Sequence, residues 1–346
     1  MIMDGIKGLA TGIGSLPHKD AARAVEEVFK YCPEIPFWPQ LPKRDAREGM
    51  VAQFCEGLPC LKVTKDGVYY DASQRDKELE GFYQKITSED ASCANFAISK
   101  NDANGLYAFY DKLADTDLAR IKYIKLHVTG PFTFRAGIKD EKGVSLLHDH
   151  EMRQAAAEGL IAKALWQVGF FEKFGKKTIV FIDEPYLSGF GSAYTPINRE
   201  EVVDILSDMT ARIKVNEGVF TGLHCCGNTD WSIFTEVETL DIINFDAFSF
   251  LDKLMLYSQD LKKFFIQGRA LCWGIVPTNE FRPDLSEAQL VEKISSGMEA
   301  LAKKGVDAQK LSQNLLLSPA CGMGTLDEAV CVSILKLLAR VSSRLR

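Results

Sequence analysis

The sequence predicts an α/β fold: a (β/α)8 TIM barrel with an inserted hairpin and helix segment at about residues 60–101. Strand-like and helix-like stretches alternate almost throughout the 346 residues. That rhythm implies a parallel sheet. About eight strands fit the chain, against a barrel of ~250 residues plus insertions. Polar, chemically capable residues also fall at strand ends: Ser15, Thr129, Asp183, His224, Cys226, Asp246 and Cys321. In a barrel these ends open onto one face, where the active site lies. An open doubly wound sheet is the alternative. No G-x-G-x-x-G follows the first strand and no Walker loop is present, which argues against a nucleotide site.

Ala10–Ser15 reads as a first short strand. Asp20–Tyr31 follows with Ala22, Val25, Val28 and Phe29 at helical spacing. Ile35–Pro42 is extended, and its prolines make it a strand that soon becomes a loop. From about Cys60 to Asn101 the rhythm breaks: Leu61–Val63 and Gly67–Tyr70 around Lys65–Asp66 read as a hairpin. We read this stretch as a loop insertion, and residues 1–346 as one catalytic domain. Asn101–Asp115 is a helix and Ile121–Pro131 a strand stopped by Gly-Pro. A long helix spans about Glu151–Phe174. Thr178–Pro185 is the clearest buried strand, ending in two acids. Adjacent acids point to opposite faces, so at most one faces a site.

A helix over Arg199–Asn216 leads to a strand that ends in His224-Cys225-Cys226. Strands at Asp241–Asp246, Ala270–Val276 and Asn314–Pro319 complete the set. Ser286 with Gln289, and Thr325 with Glu328, read as capping boxes opening the last two long helices.

Composition sets the boundaries. The formal charge of −6 gives no basic footprint, so nucleic acid is excluded as a partner. No apolar run has membrane-spanning length. The N-terminus lacks the pattern of a signal peptide, so a cytoplasmic, reducing setting is expected. The nine cysteines are then free thiols, and clustered ones are candidates for metal or catalysis.

Residues i and i+2 of a strand share a face, so His224 and Cys226 project together while Cys225 turns away. An imidazole and a thiol side by side make half a zinc site. Cys321, at the end of another apolar strand, would supply the second half. Asp246 is the candidate fourth, weakest ligand, which a substrate thiol could replace. A coordinated thiol is deprotonated outright. The bland alternative packs Cys226 and Cys321 as core residues and leaves His224 bonded to a carbonyl.

Several pieces now line up in order: Ile13-Gly14-Ser15-Leu16-Pro17, Thr129-Gly130-Pro131, Ile182-Asp183-Glu184-Pro185, His224-x-Cys226, Asp246 and Cys321-Gly322. With them the chain resembles the C-terminal catalytic barrel of the cobalamin-independent methionine synthase family. The superfamily also holds uroporphyrinogen decarboxylase and corrinoid-dependent thiol methyltransferases. The resemblance implies zinc held by His224, Cys226 and Cys321, with Asp246 where the family has glutamate. It implies that Ile13, Gly14 and Ser15 hold the carboxylate of homocysteine. Asp183, beside Glu184 in the substrate-binding element, would be the catalytic-site partner of its ammonium.

Three departures stand out. These residues hold room for one barrel, without the family's N-terminal barrel that helps bind the folate tail. Gly274–Glu280 lacks the histidine that protonates the folate leaving group. The acid expected before Met50-Val51 does not align within Lys43–Glu48. A folate donor needs a general acid, for which His18 or His127 would have to substitute; a methyl-corrinoid donor needs none. The reading is a zinc-dependent thiol methyltransferase, homocysteine to methionine, with a corrinoid protein or methyltetrahydrofolate as donor. Methylation of another thiol, or a non-catalytic zinc- or corrinoid-handling barrel, are the alternatives.

Overall fold

Runs rich in Val, Ile, Leu and Phe, bounded by glycine, proline or acids, become the strands. In chain order they are β1 (Leu9–Ala10), β2 (Leu61–Thr64), β3 (Gly67–Tyr70), β4 (Tyr123–Thr129) and β5 (Lys177–Asp183). β6 (Val219–Cys225), β7 (Ile242–Phe245), β8 (Ala270–Val276) and β9 (Leu315–Pro319) follow. The computed structural model describes residues 3–87, 93–192, 195 and 197–346, so residues 88–92 of the predicted insertion lie outside the described residues.

Seven strands form one curled parallel sheet in the order β1-β9-β8-β7-β6-β5-β4. Strands 4 to 9 are laid down in sequence order, with at least one helix between each and the next, as parallel crossovers require. The order places β9 next to β1, so the two ends of the chain meet.

The predicted eight-stranded ladder does not form. The expected second strand, residues 35–42, lies between the edge strands but makes only isolated bridges, Phe37 to Lys125 and Ser15 to Gln40. Pro36 and Pro39 have no N–H to donate, and only a few bonds remain. Lys125 N donates to Pro36 O at 2.9 Å, and Gln40 N to Gly14 O at 3.1 Å.

Asp20 caps Ala21–Tyr31 through the N–H of Ala22 and Arg23, and the Ser286–Gln289 capping box forms on Glu287–Lys303. The second capping box does not. Leu326 N is held in a turn by Met323 O at 3.0 Å, and the last helix starts at Glu328 with Asp327 as N-cap. The β2–β3 hairpin forms with Lys65–Asp66 as its two-residue turn. It docks on the sheet's periphery through Tyr70 N to Lys139 O at 3.1 Å. No helix among the described residues is long and apolar enough to cross a membrane.

The concave interior is graded. Its lower end is apolar, with Met3, Ile6, Leu9, Tyr123, Phe220, Ile242 and Leu316 packed together. Polar side chains appear toward the C-terminal ends of the strands, and that gradient positions the site.

Candidate metal and substrate site

Parallel register aligns the strand ends. Asp183 pairs with His224, and His224 with Asn244, so these side chains share the inner face. Cys226 follows directly on β6. The turn after β9 returns Cys321 to it. The ligand atoms of His224, Cys226 and Cys321 all lie within 4.8 Å of one another. Ligands at ~2.0–2.3 Å from a common zinc ion would sit about 3.5–4 Å apart, so the three fit such an ion. Cys225 turns away as expected, buried with its thiol 3.7 Å from Gly227 O.

The histidine is oriented by its neighbours. Asn244 donates its amide N–H groups to Cys272 O at 2.9 Å and Ser318 Oγ at 2.8 Å. Its Oδ1 therefore accepts from His224 Nδ1, at 2.5 Å. The Nδ1 proton leaves the lone pair on Nε2, the nitrogen a metal would use. Between the cysteines, the Cys321 thiol donates to Cys226. That bond, helped by His224, pulls Cys226 well below the usual thiol range and pushes Cys321 up.

Asp246 stands apart from the three-ligand cluster. It caps the helix Ala247–Leu254, accepting Ser249 N at 2.9 Å, and burial raises its pKa. It does line the same cleft, of about 430 Å³, as Cys226 and Cys321. Asn279 and Glu280, from the stretch without a histidine, line that cleft too.

The two acids of β5 divide their work. Asp183 is buried with Oδ1 unpartnered. Burial pushes its pKa up to about 6, against the pull of Lys125 and His224. Glu184 points the other way, as the alternation requires. It accepts Phe132 N at 2.9 Å, Thr133 N at 2.8 Å and Thr133 Oγ1 at 2.7 Å. It thus holds the N-terminus of the helix Pro131–Ala136. A Cβ on Gly130 would fall 2.2 Å from the Glu184 carboxyl carbon, which explains Gly-Pro at this turn. Glu184 is therefore a structural clamp rather than a substrate ligand. Thr129 is likewise committed, donating to Met50 O at 2.6 Å.

The Ile13–Ser15 turn is stitched to the cysteine turn. Met323 N donates to Ser15 O at 2.9 Å, and Gly324 N to Ser15 Oγ at 3.2 Å. A Cβ on Gly322 would meet Ser15 Oγ at 2.3 Å. Among the described residues, no acceptor meets the N–H of Ile13, Gly14 or Ser15. Three free N–H groups in succession suit an anion.

His127 and His18 are fully buried with both ring nitrogens unpartnered. His127 stacks on Trp38 at 3.8 Å, and burial holds both imidazoles neutral. Neither is a charged acid at neutral pH. Sequence reasoning missed Asn244 and Lys125, whose only signal was a polar residue inside an apolar strand. It also left Glu48 unplaced: this acid is fully buried, paired with Arg44, and has Oε2 unpartnered.

No family model matches the chain, and no curated protein does. Among solved structures, the chain is similar to a B12-independent methionine synthase from Shewanella sp. W3-18-1, solved in complex with selenomethionine. The TM-score is 0.60 at 16% identity, over 98% of each chain. At that identity the likeness is one of fold: the curled parallel α/β sheet is shared, nearly end to end, with a methionine synthase.

Proposed function

We propose that the chain is a zinc-dependent methyltransferase acting on a thiol, with homocysteine as substrate and methionine as product, and that residues 1–346 work as one catalytic domain. One juxtaposition carries this reading. The His224–Cys226–Cys321 cluster adjoins an unpartnered acid, Asp183, and the unpartnered N–H groups of Ile13–Ser15. Together they match a thiol, an ammonium and a carboxylate on one small molecule.

His224, Cys226 and Cys321 would hold the ion, with Asp246 as the exchangeable fourth ligand. Zinc bound there would supply the Lewis acidity that keeps a substrate thiol deprotonated at neutral pH. Asp183 pairs with the substrate ammonium, and Gly14 and Ser15 N–H with its carboxylate, so the sulfur is aimed into the 430 Å³ cleft. There a sulfur–methyl bond forms as the donor–methyl bond breaks. The bonding pair leaves with the donor.

The neutral, buried imidazoles of His18 and His127 favour a donor that needs no proton, such as a methyl-corrinoid protein, over methyltetrahydrofolate. The test offers the zinc-loaded protein homocysteine with methylcobalamin or methyltetrahydrofolate and follows methionine. Methionine from the corrinoid alone is expected. Fully zinc-loaded protein that methylates no thiol from either donor would overturn the reading.

A further inference from the structure

Lys125 is a lysine inside the sheet for which the thiol chemistry has no use. It lies on β4 and is fully buried. Its Nζ donates to Ile13 O and sits 4.5 Å from the Phe181 ring centre. A buried ammonium is costly to desolvate. A position that needed only bulk would take Leu or Met.

The bond acts on a peptide plane. In a trans peptide the carbonyl of Ile13 and the N–H of Gly14 point in opposite directions. Fixing Ile13 O on Lys125 therefore fixes Gly14 N–H on the far side. The next two carbonyls are also held, Gly14 O by Gln40 N at 3.1 Å and Ser15 O by Met323 N at 2.9 Å. Three consecutive carbonyls are engaged; of the N–H groups in the same three peptides, those of Gly14 and Ser15 are free and Leu16 N donates to Gln40 O at 2.8 Å. Gly14 itself has no room for a side chain, because a Cβ would meet the His127 ring at 2.9 Å. Strand β4 thus fixes this turn from two sides.

We propose that Lys125 is a positioning residue of the amino-acid subsite: its ammonium locks the Ile13–Gly14 peptide so that the Gly14 N–H is held ready for the substrate carboxylate. This rests on the homocysteine reading and adds a specificity determinant to it. Lys125 selects thiols that carry an α-carboxylate.

The experiment uses zinc-loaded full-length protein, wild type and Lys125→Met. It measures calorimetric binding of methionine and of 3-(methylthio)propylamine, which lacks the carboxylate. It also measures kcat and KM for homocysteine and for 3-mercaptopropylamine. Methionine affinity should fall, and KM for homocysteine rise, by roughly 10- to 150-fold, the range for losing one hydrogen bond to a charged group. The decarboxylated pair keeps the ammonium that faces Asp183, on which the Lys125 charge also acts, so it should change several-fold less than methionine and homocysteine, and zinc content should be unchanged. Lys125→Gln keeps an N–H donor, and should recover part of the loss; it also serves as the test should Lys125→Met not fold. Equal losses for both members of each pair, or no loss, would overturn the proposal. If wild-type protein binds neither methionine nor homocysteine, the function reading fails first, and visibly so.

Discussion

The two halves of the rim treat their polar atoms differently. On the β6–β7–β9 side the polar atoms of the cluster have partners. His224 bonds to Asn244, Asn244 to Cys272 O and Ser318, Cys321 to Cys226, and Asp246 to Ser249 N. On the β1–β4–β5 side they are missing. Asp183 Oδ1, both nitrogens of His127 and the N–H groups of Ile13–Ser15 have no partner among the described residues. Buried polar atoms without partners are rare in native proteins. In the proposed site they lie on the side that would receive the substrate. The other side holds three residues, His224, Cys226 and Cys321, close enough together to hold a metal ion.

The comparison breaks most completely at Cys226. Cys226→Ser should abolish zinc binding and, with it, methyl transfer; metal analysis of the purified variant against wild type checks this. On the unsatisfied side, Asp183→Asn should leave zinc in place. It should weaken an amino-acid thiol by about 1.5–3 kcal/mol, seen as a higher KM for homocysteine and not for 3-mercaptopropanol. Asn244→Ala removes the bond that orients His224 and should lower zinc affinity about 10- to 100-fold, measured by competition with a chelator. Gly130→Ala sharpens the contrast between the two acids of β5. The added methyl collides with Glu184, and stability should fall by about 1–3 kcal/mol, read from denaturant unfolding.

The smallest effect is electrostatic. Burial holds Glu184 at about 7, above its ordinary value, with its hydrogen bonds and Arg135 pulling the other way. The folded state then keeps a proton that the unfolded state releases near pH 4.3. Between about pH 4.3 and 7 the folded chain binds more protons, so this group's contribution to stability declines as pH rises. Glu184→Gln should flatten that decline in a series of pH-dependent melting temperatures, while leaving zinc content alone.

Much of this was legible because the signals were local. Continuous apolar runs ending in acids or Gly-Pro announce β4 and β5. Alternation alone placed His224 beside Cys226 and turned Cys225 away. The alternation also said that only one of Asp183 and Glu184 could face the site, but which one depends on register with β4 and β6. The stretch 35–42 reads as extended, yet Pro36 and Pro39 deprive it of the donors a ladder needs, so its weak pairing is visible only in three dimensions. Asn244 and Lys125 look like interruptions of apolar strands. Their meaning comes from residues 74 and 112 positions away, Ser318 and Ile13. The last helix starts late because tertiary and turn contacts capture Leu326, with Lys43 taking its carbonyl at 2.6 Å.

Zinc-edge X-ray absorption of the metal-loaded protein, before and after homocysteine, addresses the central claim most directly. The account predicts a site of two sulfurs, one imidazole nitrogen and a light-atom ligand, which gains a third sulfur when the thiol is added. A protein that takes up no zinc, or a zinc site whose sulfur count is unchanged at saturating homocysteine, would contradict it.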